Sequence, residues 1–134
     1  MKASILGTDI FSYYLKGNEG VMLEIVNYLT EYPTLNLSYI SYYEILKGLK
    51  YKKALTQEEN FEELITEINL INVDKFSLKI SAEIYSDLRS KGKTIGVCDT
   101  LIAGIAIQNN LQLITNNTKH FKDISNLKIA NWKI

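Results

Sequence analysis

The sequence is poor in cysteine, proline and histidine, and it has no long apolar run. Its one cysteine, Cys98, cannot form a disulfide within the chain, so a reducing, cytoplasmic location is expected. No apolar stretch approaches the roughly 18 residues of a membrane span, and the apolar part of the N-terminus is too short for a signal peptide. His120 stands without a second histidine or a nearby cysteine, which makes it a poor zinc ligand. We expect it in a loop that a substrate can touch.

The chain also lacks a net charge, because its 15 basic residues balance its 15 acidic ones. This balance argues against capture of nucleic acid by a broad positive field. A local cluster around Tyr51 remains, formed by Lys47, Lys50, Lys52 and Lys53. Such a cluster either contacts phosphates or is a solvated helix end. The 134 residues are typical of a single domain, 1–134.

Apolar periodicity along the chain alternates between strand and helix patterns. Strands are predicted at 3–6, 34–38, 70–73, 111–115 and 127–131, and helices at 10–16, 19–29, 39–51, 56–68, 74–92 and 98–110. Thr56 and Glu59 match a capping signature at the start of the fourth helix. The helix at 98–110 is apolar almost all round, so we expect it to be buried. The alternation predicts an α/β fold with a mostly parallel sheet and helices on both faces.

In such sheets ligands bind at the carboxyl ends of the strands, so polar residues just past those ends are candidates for a site. Glu44 lies on a predicted helix face that it shares with the small residues Ser41 and Gly48. Small neighbours allow another element or a ligand to approach the carboxylate closely. A solvent-exposed glutamate explains the same pattern, and base rates favour that explanation.

Two further polar positions follow strands or begin helices near the same edge. Asp99 begins the buried helix, where it can be a plain N-cap, a metal ligand, or both, because the helix dipole favours its ionised form. Asn116 and Asn117 follow a strand, where they either form a turn or face the crevice. Asp9, Glu44 and Asp99 are thus acids from distant segments that we expect to meet at one edge of the sheet, next to the two asparagines. This arrangement suits Mg²⁺ or Mn²⁺ and the activation of water against a phosphodiester.

Three stretches together resemble the PIN-domain family, and within it the VapC-type toxins of bacterial toxin–antitoxin pairs. They are LGTDIFSYYLKGN near the N-terminus, YYEILKGL in the middle, and DTLIAGIAI followed by LQLITNNTKHF and LKIANW near the end. The resemblance implies a three-layer α/β/α sandwich and an Mg²⁺-dependent endoribonuclease that halts translation. It also implies a cognate antitoxin that blocks the site and links the toxin to DNA indirectly, and a homodimer.

The resemblance also fixes the register of the first strand. The family ends this strand in Leu-Asp-Thr-Asn-Ile or Leu-Asp-Thr-Asp-Ile, and here the stretch is Leu-Gly-Thr-Asp-Ile, residues 6–10. The first acidic ligand of the family therefore falls on Gly7. Asp9 is two residues further along, about 6.5 Å away in extended chain, whereas a magnesium–oxygen bond is about 2.1 Å long. We therefore expect that Asp9 does not replace the missing ligand.

The remaining roles follow from the same resemblance. In a chain with Asp at position 7, that residue and Asp99 would hold the metal, and Glu44 would bind through a second metal or a metal-bound water. Asn117 falls on the fourth position and would share the catalytic pocket. The residues expected to contact substrate are Thr8, Asp9, Thr115 and Asn116.

The glycine at position 7 has two explanations. It can be an engineered replacement that protects an expression host, which the retention of the other acids favours. It can instead be natural and leave a catalytically silent module that binds an antitoxin and acts as a co-repressor. The many tyrosines, including Tyr13, Tyr14, Tyr39, Tyr42 and Tyr43, favour an interface if they do not simply line the core.

Overall fold

Five short strands form one parallel sheet at the centre of the structure, a computed structural model that describes residues 1–133. The order across the sheet is β3-β2-β1-β4-β5, and each described pair is parallel. The strands are β1 Ser4–Leu6, β2 Asn36–Ser38, β3 Asn69–Ile71, β4 Gln112–Ile114 and β5 Ile129–Ala130. The order runs outward from β1 to β2 and β3, then returns to the other side for β4. The crevice between β1 and β4 is thus the place where an α/β sheet binds ligands.

Seven helices connect and cover the strands within the described residues. They are α1 Thr8–Leu15, α2 Glu19–Leu29, α3 Tyr39–Tyr51, α4 Leu55–Ile65, α5 Lys75–Ser90, α6 Val97–Gln108 and α7 Thr118–Phe121. None of the helices in residues 1–133 has the length and apolar character of a membrane span.

Successive side chains of the strands point to opposite faces of the sheet and contribute to two separate hydrophobic cores. Leu6 and Ile114 belong to a cluster with α1 to α4, whereas Ile5 and Leu113 belong to a cluster with α5 and α6. Helices on both faces follow from this alternation, because every second side chain of a strand points to the opposite face. The predicted three-layer α/β/α sandwich is confirmed, and so is the burial of the helix at 98–110.

The contact between α5 and α6 is unusually close at one glycine. A β-carbon at Gly104 would overlap the Ser81 hydroxyl and stand 2.5 Å from the Ser77 carbonyl oxygen. The Ser81 hydroxyl lies between the helices, 2.8 Å from the Thr100 carbonyl oxygen and 3.0 Å from that of Ser77. This interface is therefore packed down to the backbone.

Two of the predicted helix N-caps are wrong. Thr56 does not cap α4, because the backbone ladder already begins where the Glu58 amide donates to the Ala54 carbonyl oxygen, so Thr56 lies inside the helix. Asp99 does not cap α6 either. The Thr100 amide donates to the Gly96 carbonyl oxygen at 3.0 Å, which makes Gly96 the N-cap and places Asp99 within the first turn.

The tyrosines divide between core and surface. Tyr13, Tyr14 and Tyr42 pack against the core cluster of α1 to α4. Tyr39 and Tyr43 are 45% and 56% exposed on α3. Only these last two of the five are left as candidates for an interface.

Candidate functional site

A cavity of about 230 Å³ lies at the carboxyl ends of β1 and β4. All but one of the predicted site residues line it, the exception being Asn116. Its lining consists of Gly7, Thr8, Asp9, Glu44, Asp99, Ile102, Leu113, Thr115, Asn117 and Phe121. Short loops that leave parallel strands thus bring together residues more than 100 positions apart in the chain. We call this cavity the carboxylate pocket.

Glu44 is held in the pocket by the end of another helix. Ser38 caps α3 by accepting from the Ser41 amide at 2.9 Å, which fixes the start of the helix that carries Glu44. The Thr8 hydroxyl, from the first residue of α1, lies 2.6 Å from Glu44 Oε1. Glu44 is therefore a partly buried pocket carboxylate with a fixed partner, and the solvent-exposed alternative does not hold.

Asp99 faces the pocket from the first turn of α6. Its Oδ2 lies 3.4 Å from Nε2 of His120. Burial raises the pKa of the Asp99 carboxyl, His120 lowers it, and the nearby carboxylates of Glu44 and Asp9 raise it further. The net direction is upward, with burial as the largest cause and the neighbouring carboxylates adding to it.

His120 lies on the short helix α7, and the expectation of a loop is wrong. Its contact with Asp99 has no local signal in the sequence, because the two residues lie 21 positions apart on different helices.

Asp9 connects the ends of β1 and β4. Its Oδ1 accepts from the Ile10 amide at 2.8 Å, and its Oδ2 accepts from the Asn116 amide at 2.9 Å. The Thr115 hydroxyl lies 3.3 Å from the same Oδ2 and accepts from the Asn117 amide at 3.0 Å. Both carboxylate oxygens of Asp9 are thus already bound to backbone amides.

Gly7 is buried at the bottom of the pocket and donates its amide to the Ile114 carbonyl oxygen at 2.8 Å. A β-carbon here would stand 2.9 Å from that oxygen and 3.0 Å from Asp9 Oδ1. A larger residue therefore needs a backbone adjustment of a few tenths of an ångström and a displaced Asp9 side chain.

The residues present do not fit a magnesium ion held by three carboxylates. Within residues 1–133, no three histidine, cysteine, aspartate or glutamate side chains are grouped closely enough to hold a metal. Glu44 has one oxygen on Thr8, and Asp9 has both on backbone amides. Asp99 and one oxygen of Glu44 remain, fewer than the charged ligands that the family resemblance implies.

The four residues predicted to contact substrate make internal hydrogen bonds. Thr8 bonds Glu44, Asp9 and Thr115 bond each other, and the Asn116 side chain accepts from Asn131 at 3.0 Å. Their assignment to substrate binding stays a prediction.

Cys98 stands beside the pocket but is not activated for nucleophilic chemistry. Burial raises the pKa of its thiol, and the neighbouring Glu44 carboxylate raises it further. A thiol with a raised pKa stays protonated at neutral pH, whereas the thiolate is the reactive form.

A second cavity, of about 330 Å³, lies between α1, α3 and α4 and meets the carboxylate pocket at Thr8 and Glu44. We call it the side groove. Lys16 and Lys52 line its outer part. Two other lysines of the predicted basic cluster contact different groups, since Lys50 pairs with Glu58 at 3.0 Å and Lys47 lies 5.2 Å from the Tyr43 ring centre.

Comparison with known proteins finds relatives over almost the whole length of the chain. The sequence matches the PIN domain over residues 5–127. It is 32% identical over 131 residues to Ribonuclease VapC2 of Rickettsia felis, and the match covers 96% of each chain.

Solved structures show the same fold. The crystal structure of VapBC2 from Rickettsia felis bound to a DNA fragment from its promoter aligns with a TM-score of 0.87 and 30% identity, over 97% of this chain and 98% of the other. A toxin–antitoxin complex from Klebsiella pneumoniae aligns with a TM-score of 0.75 and 21% identity, over 97% and 98%, which shows the fold alone.

Proposed function

The chain belongs to the PIN domain family, and on that premise we propose that it has the framework of a metal-dependent endoribonuclease toxin that cuts RNA and inhibits translation. The convergence of Glu44 and Asp99 on the carboxylate pocket supports this proposal. Carboxylates at the end of a parallel sheet are the ligands that Mg²⁺ or Mn²⁺ takes in sites that cut phosphodiesters. Its place of action is the cytoplasm, where its RNA substrate is found.

The present chain is inactive in this proposal because Gly7 carries no carboxylate. Without that ligand the pocket keeps the negative charges of Asp9, Glu44 and Asp99 but lacks the set that would bind a cation firmly. A phosphodiester is itself an anion, and like charges in a partly buried site repel strongly. The pocket of this chain therefore disfavours the substrate that an intact pocket would bind.

Restoring the carboxylate should complete the donor set. In a Gly7→Asp variant the new side chain, Asp99 and Glu44 would be the ligands, and the metal would supply an activated water and neutralise phosphate charge. Asn117 lines the same pocket as an uncharged hydrogen-bonding residue.

The first test compares RNA cleavage by the chain, by Gly7→Asp and by the uncharged, same-sized control Gly7→Asn. Total bacterial RNA is the substrate, in Mg²⁺ or Mn²⁺, with and without chelator. We expect cleavage by Gly7→Asp alone, abolished by chelator and by a further Glu44→Gln substitution. Cleavage by the unmodified chain would show that Asp9 or a rebuilt loop supplies the ligand. Failure of Gly7→Asp on every RNA would contradict the ribonuclease proposal.

The partner in this proposal is a cognate antitoxin, through which the chain reaches DNA only indirectly, together with a second copy of the chain in a homodimer. One face of α2 exposes the apolar residues Met22, Leu23, Val26 and Leu29, which a monomer would leave in water. Light scattering of the purified chain tests the dimer, because a monomer mass at micromolar concentration would contradict it.

A catalytically silent antitoxin-binding and co-repressor module is the second candidate, and Gly7 is the observation that favours it. The two functions separate in the Gly7→Asp experiment. If neither form cuts RNA while both bind the same antitoxin, the silent module is the better description.

Lys52 is the lysine of the predicted basic cluster that we propose for guiding RNA, because it lines the side groove together with Lys16. In the Gly7→Asp background, Lys52→Gln should weaken RNA binding several-fold and reduce its dependence on salt. Lys50→Gln is the matched control, since Lys50 is paired with Glu58. Equal effects of the two substitutions would contradict a specific role for Lys52.

A further inference from the structure

Three hydroxyl groups form a continuous chain that ends on the Glu44 carboxylate. Ser38 Oγ lies 3.2 Å from Ser41 Oγ, Ser41 Oγ lies 2.8 Å from Thr8 Oγ1, and Thr8 Oγ1 lies 2.6 Å from Glu44 Oε1. The Ser41 amide donates to Ser38 Oγ at 2.9 Å, which anchors the far end of the chain. Both serines are fully buried.

Counting donors and acceptors gives the direction of each hydrogen bond in this chain of hydroxyls. An ionised carboxylate only accepts, and each hydroxyl has one proton to donate. Thr8 must therefore donate to Glu44, which leaves Ser41 to donate to Thr8 and Ser38 to donate to Ser41. No hydroxyl is left with a competing use for its proton, so the bond to Glu44 is defined in both geometry and direction.

The elements that carry the hydroxyls are themselves fixed. Ser38 ends β2 and caps α3, Ser41 lies in the first turn of α3, and Thr8 begins α1 directly after β1. The bond from Thr8 to Glu44 joins residues 36 positions apart. A hydrogen bond to a charged acceptor is stronger than one between neutral groups. Without such a bond a glutamate side chain populates several rotamers, and restricting it to one rotamer has an entropic cost that the hydrogen bond offsets.

We infer that Thr8 is a positioning residue for Glu44, and that Ser41 and Ser38 orient the Thr8 hydroxyl. Glu44 Oε1 accepts the hydrogen bond from Thr8, which leaves the other carboxylate oxygen of Glu44 available to a ligand in the pocket. The catalytic meaning of this inference rests on the proposed ribonuclease function. In this inference Thr8 acts indirectly, through Glu44, and a direct contact of Thr8 with substrate stays a separate prediction.

The direct test uses the chain as it is and needs neither RNA nor metal. Three-bond NMR couplings of the Glu44 side chain report whether it occupies one rotamer. Thr8→Val keeps the shape but removes the hydroxyl, and Thr8→Ser keeps the hydroxyl. We expect one rotamer in the parent and in Thr8→Ser, and averaged couplings in Thr8→Val. A single Glu44 rotamer in Thr8→Val would overturn the inference, whatever the outcome with RNA.

The kinetic consequence is measured in the Gly7→Asp background with total bacterial RNA. Thr8→Val should lower kcat about 10- to 100-fold with KM changed less than about 2-fold, because a misplaced catalytic group slows the chemical step. Thr8→Ser should restore kcat to within about 3-fold, as the hydroxyl returns. Thr66→Val is the matched control, since Thr66 is exposed at the C-cap of α4 and lines neither the carboxylate pocket nor the side groove. Equal loss in Thr8→Val and Thr8→Ser would show that Thr8 only supports packing.

The two tests separate the inference from the proposed function. If Gly7→Asp cuts no RNA, the ribonuclease proposal fails while the NMR couplings still decide whether Thr8 positions Glu44.

Discussion

Gly7 and Gly104 are both buried, and both stand too close to a backbone carbonyl oxygen for an ordinary β-carbon. Their surroundings differ. Gly104 is enclosed between α5 and α6, where Ser77 and Ser81 occupy the space that a side chain would need. Gly7 faces the carboxylate pocket, and its nearest movable neighbour is the Asp9 side chain at 3.0 Å.

The difference separates a glycine whose side-chain space is filled by a neighbouring helix from one whose side-chain space opens into a cavity. At the α5–α6 contact, the absence of a side chain lets two backbones approach. At the pocket, the absence of a side chain leaves a cavity among carboxylates. Sequence alone presents both as a buried glycine, and only the surrounding atoms show which of them can be replaced.

The largest expected effect is at the packed glycine. Gly104→Ala should lower the free energy of unfolding by about 3 kcal/mol, because the Ser77 carbonyl belongs to a helix and cannot move aside cheaply. Urea denaturation followed by circular dichroism measures the change. A loss below about 1 kcal/mol would show that α5 and α6 can separate easily, and the contrast with Gly7 would disappear.

Gly7→Asp should cost less, about 2 kcal/mol in the absence of metal, from the adjusted backbone and the added negative charge. Gly7→Asn has nearly the same shape, so the difference between the two isolates the charge. Millimolar Mg²⁺ should recover part of the loss in Gly7→Asp and none in Gly7→Asn. Unfolding with and without Mg²⁺ checks this, and equal responses would mean that the new carboxylate binds no cation.

Gly48→Ala should raise the free energy of unfolding by about 1 kcal/mol, because alanine is the better helix former. A β-carbon at Gly48 meets no atom within 4 Å, so packing sets no penalty. The same denaturation experiment gives the value. Gly48 thus adds to the comparison a helix glycine whose side-chain space is open. A Gly48→Ala variant less stable than the parent would contradict that description.

Asp99→Asn should give the smallest change, a gain of about 0.5 kcal/mol at neutral pH. The pKa of Asp99 is raised above its ordinary value of 3.8, mainly by burial. A raised carboxyl pKa favours folding when the group is protonated, and this contribution is lost as pH rises through the folded-state pKa. The advantage of Asp99→Asn should therefore appear above about pH 4 and vanish below it. Denaturation at pH 3 and pH 7 measures it, and a gain at low pH only would reverse the sign.

Much of the fold could be predicted because local signals agree with the final packing. The bounds of α2 and α3 match their predicted ranges, 19–29 and 39–51. Asn18 and Ser38 cap these helices with their side chains, and apolar residues recur at helical spacing within them. The sheet edge was also predictable, since polar residues after strands converge whenever the strands are parallel.

The remaining features depend on contacts that local sequence does not encode. Asp9 was recognised as an acid near the site, but its bond to the Asn116 amide joins residues 107 positions apart. The cap of α4 was misplaced because only Lys53 and Ala54 separate the C-cap of α3, Lys52, from the first residue of α4, and Lys53 turns the chain with a φ of 55°. Gly7 itself was identified through the family resemblance, since a lone glycine after a strand has no chemical signature.

The separation in sequence of the pocket residues has a consequence for the order in which the pocket forms. The hydrogen bond between Thr8 and Glu44 joins residues 36 positions apart, whereas the bond between Asp9 and the Asn116 amide joins residues 107 positions apart. Closing so long a loop is slow compared with forming local structure. A chain still being synthesised therefore cannot complete the pocket until β4 and Asn116 have been made.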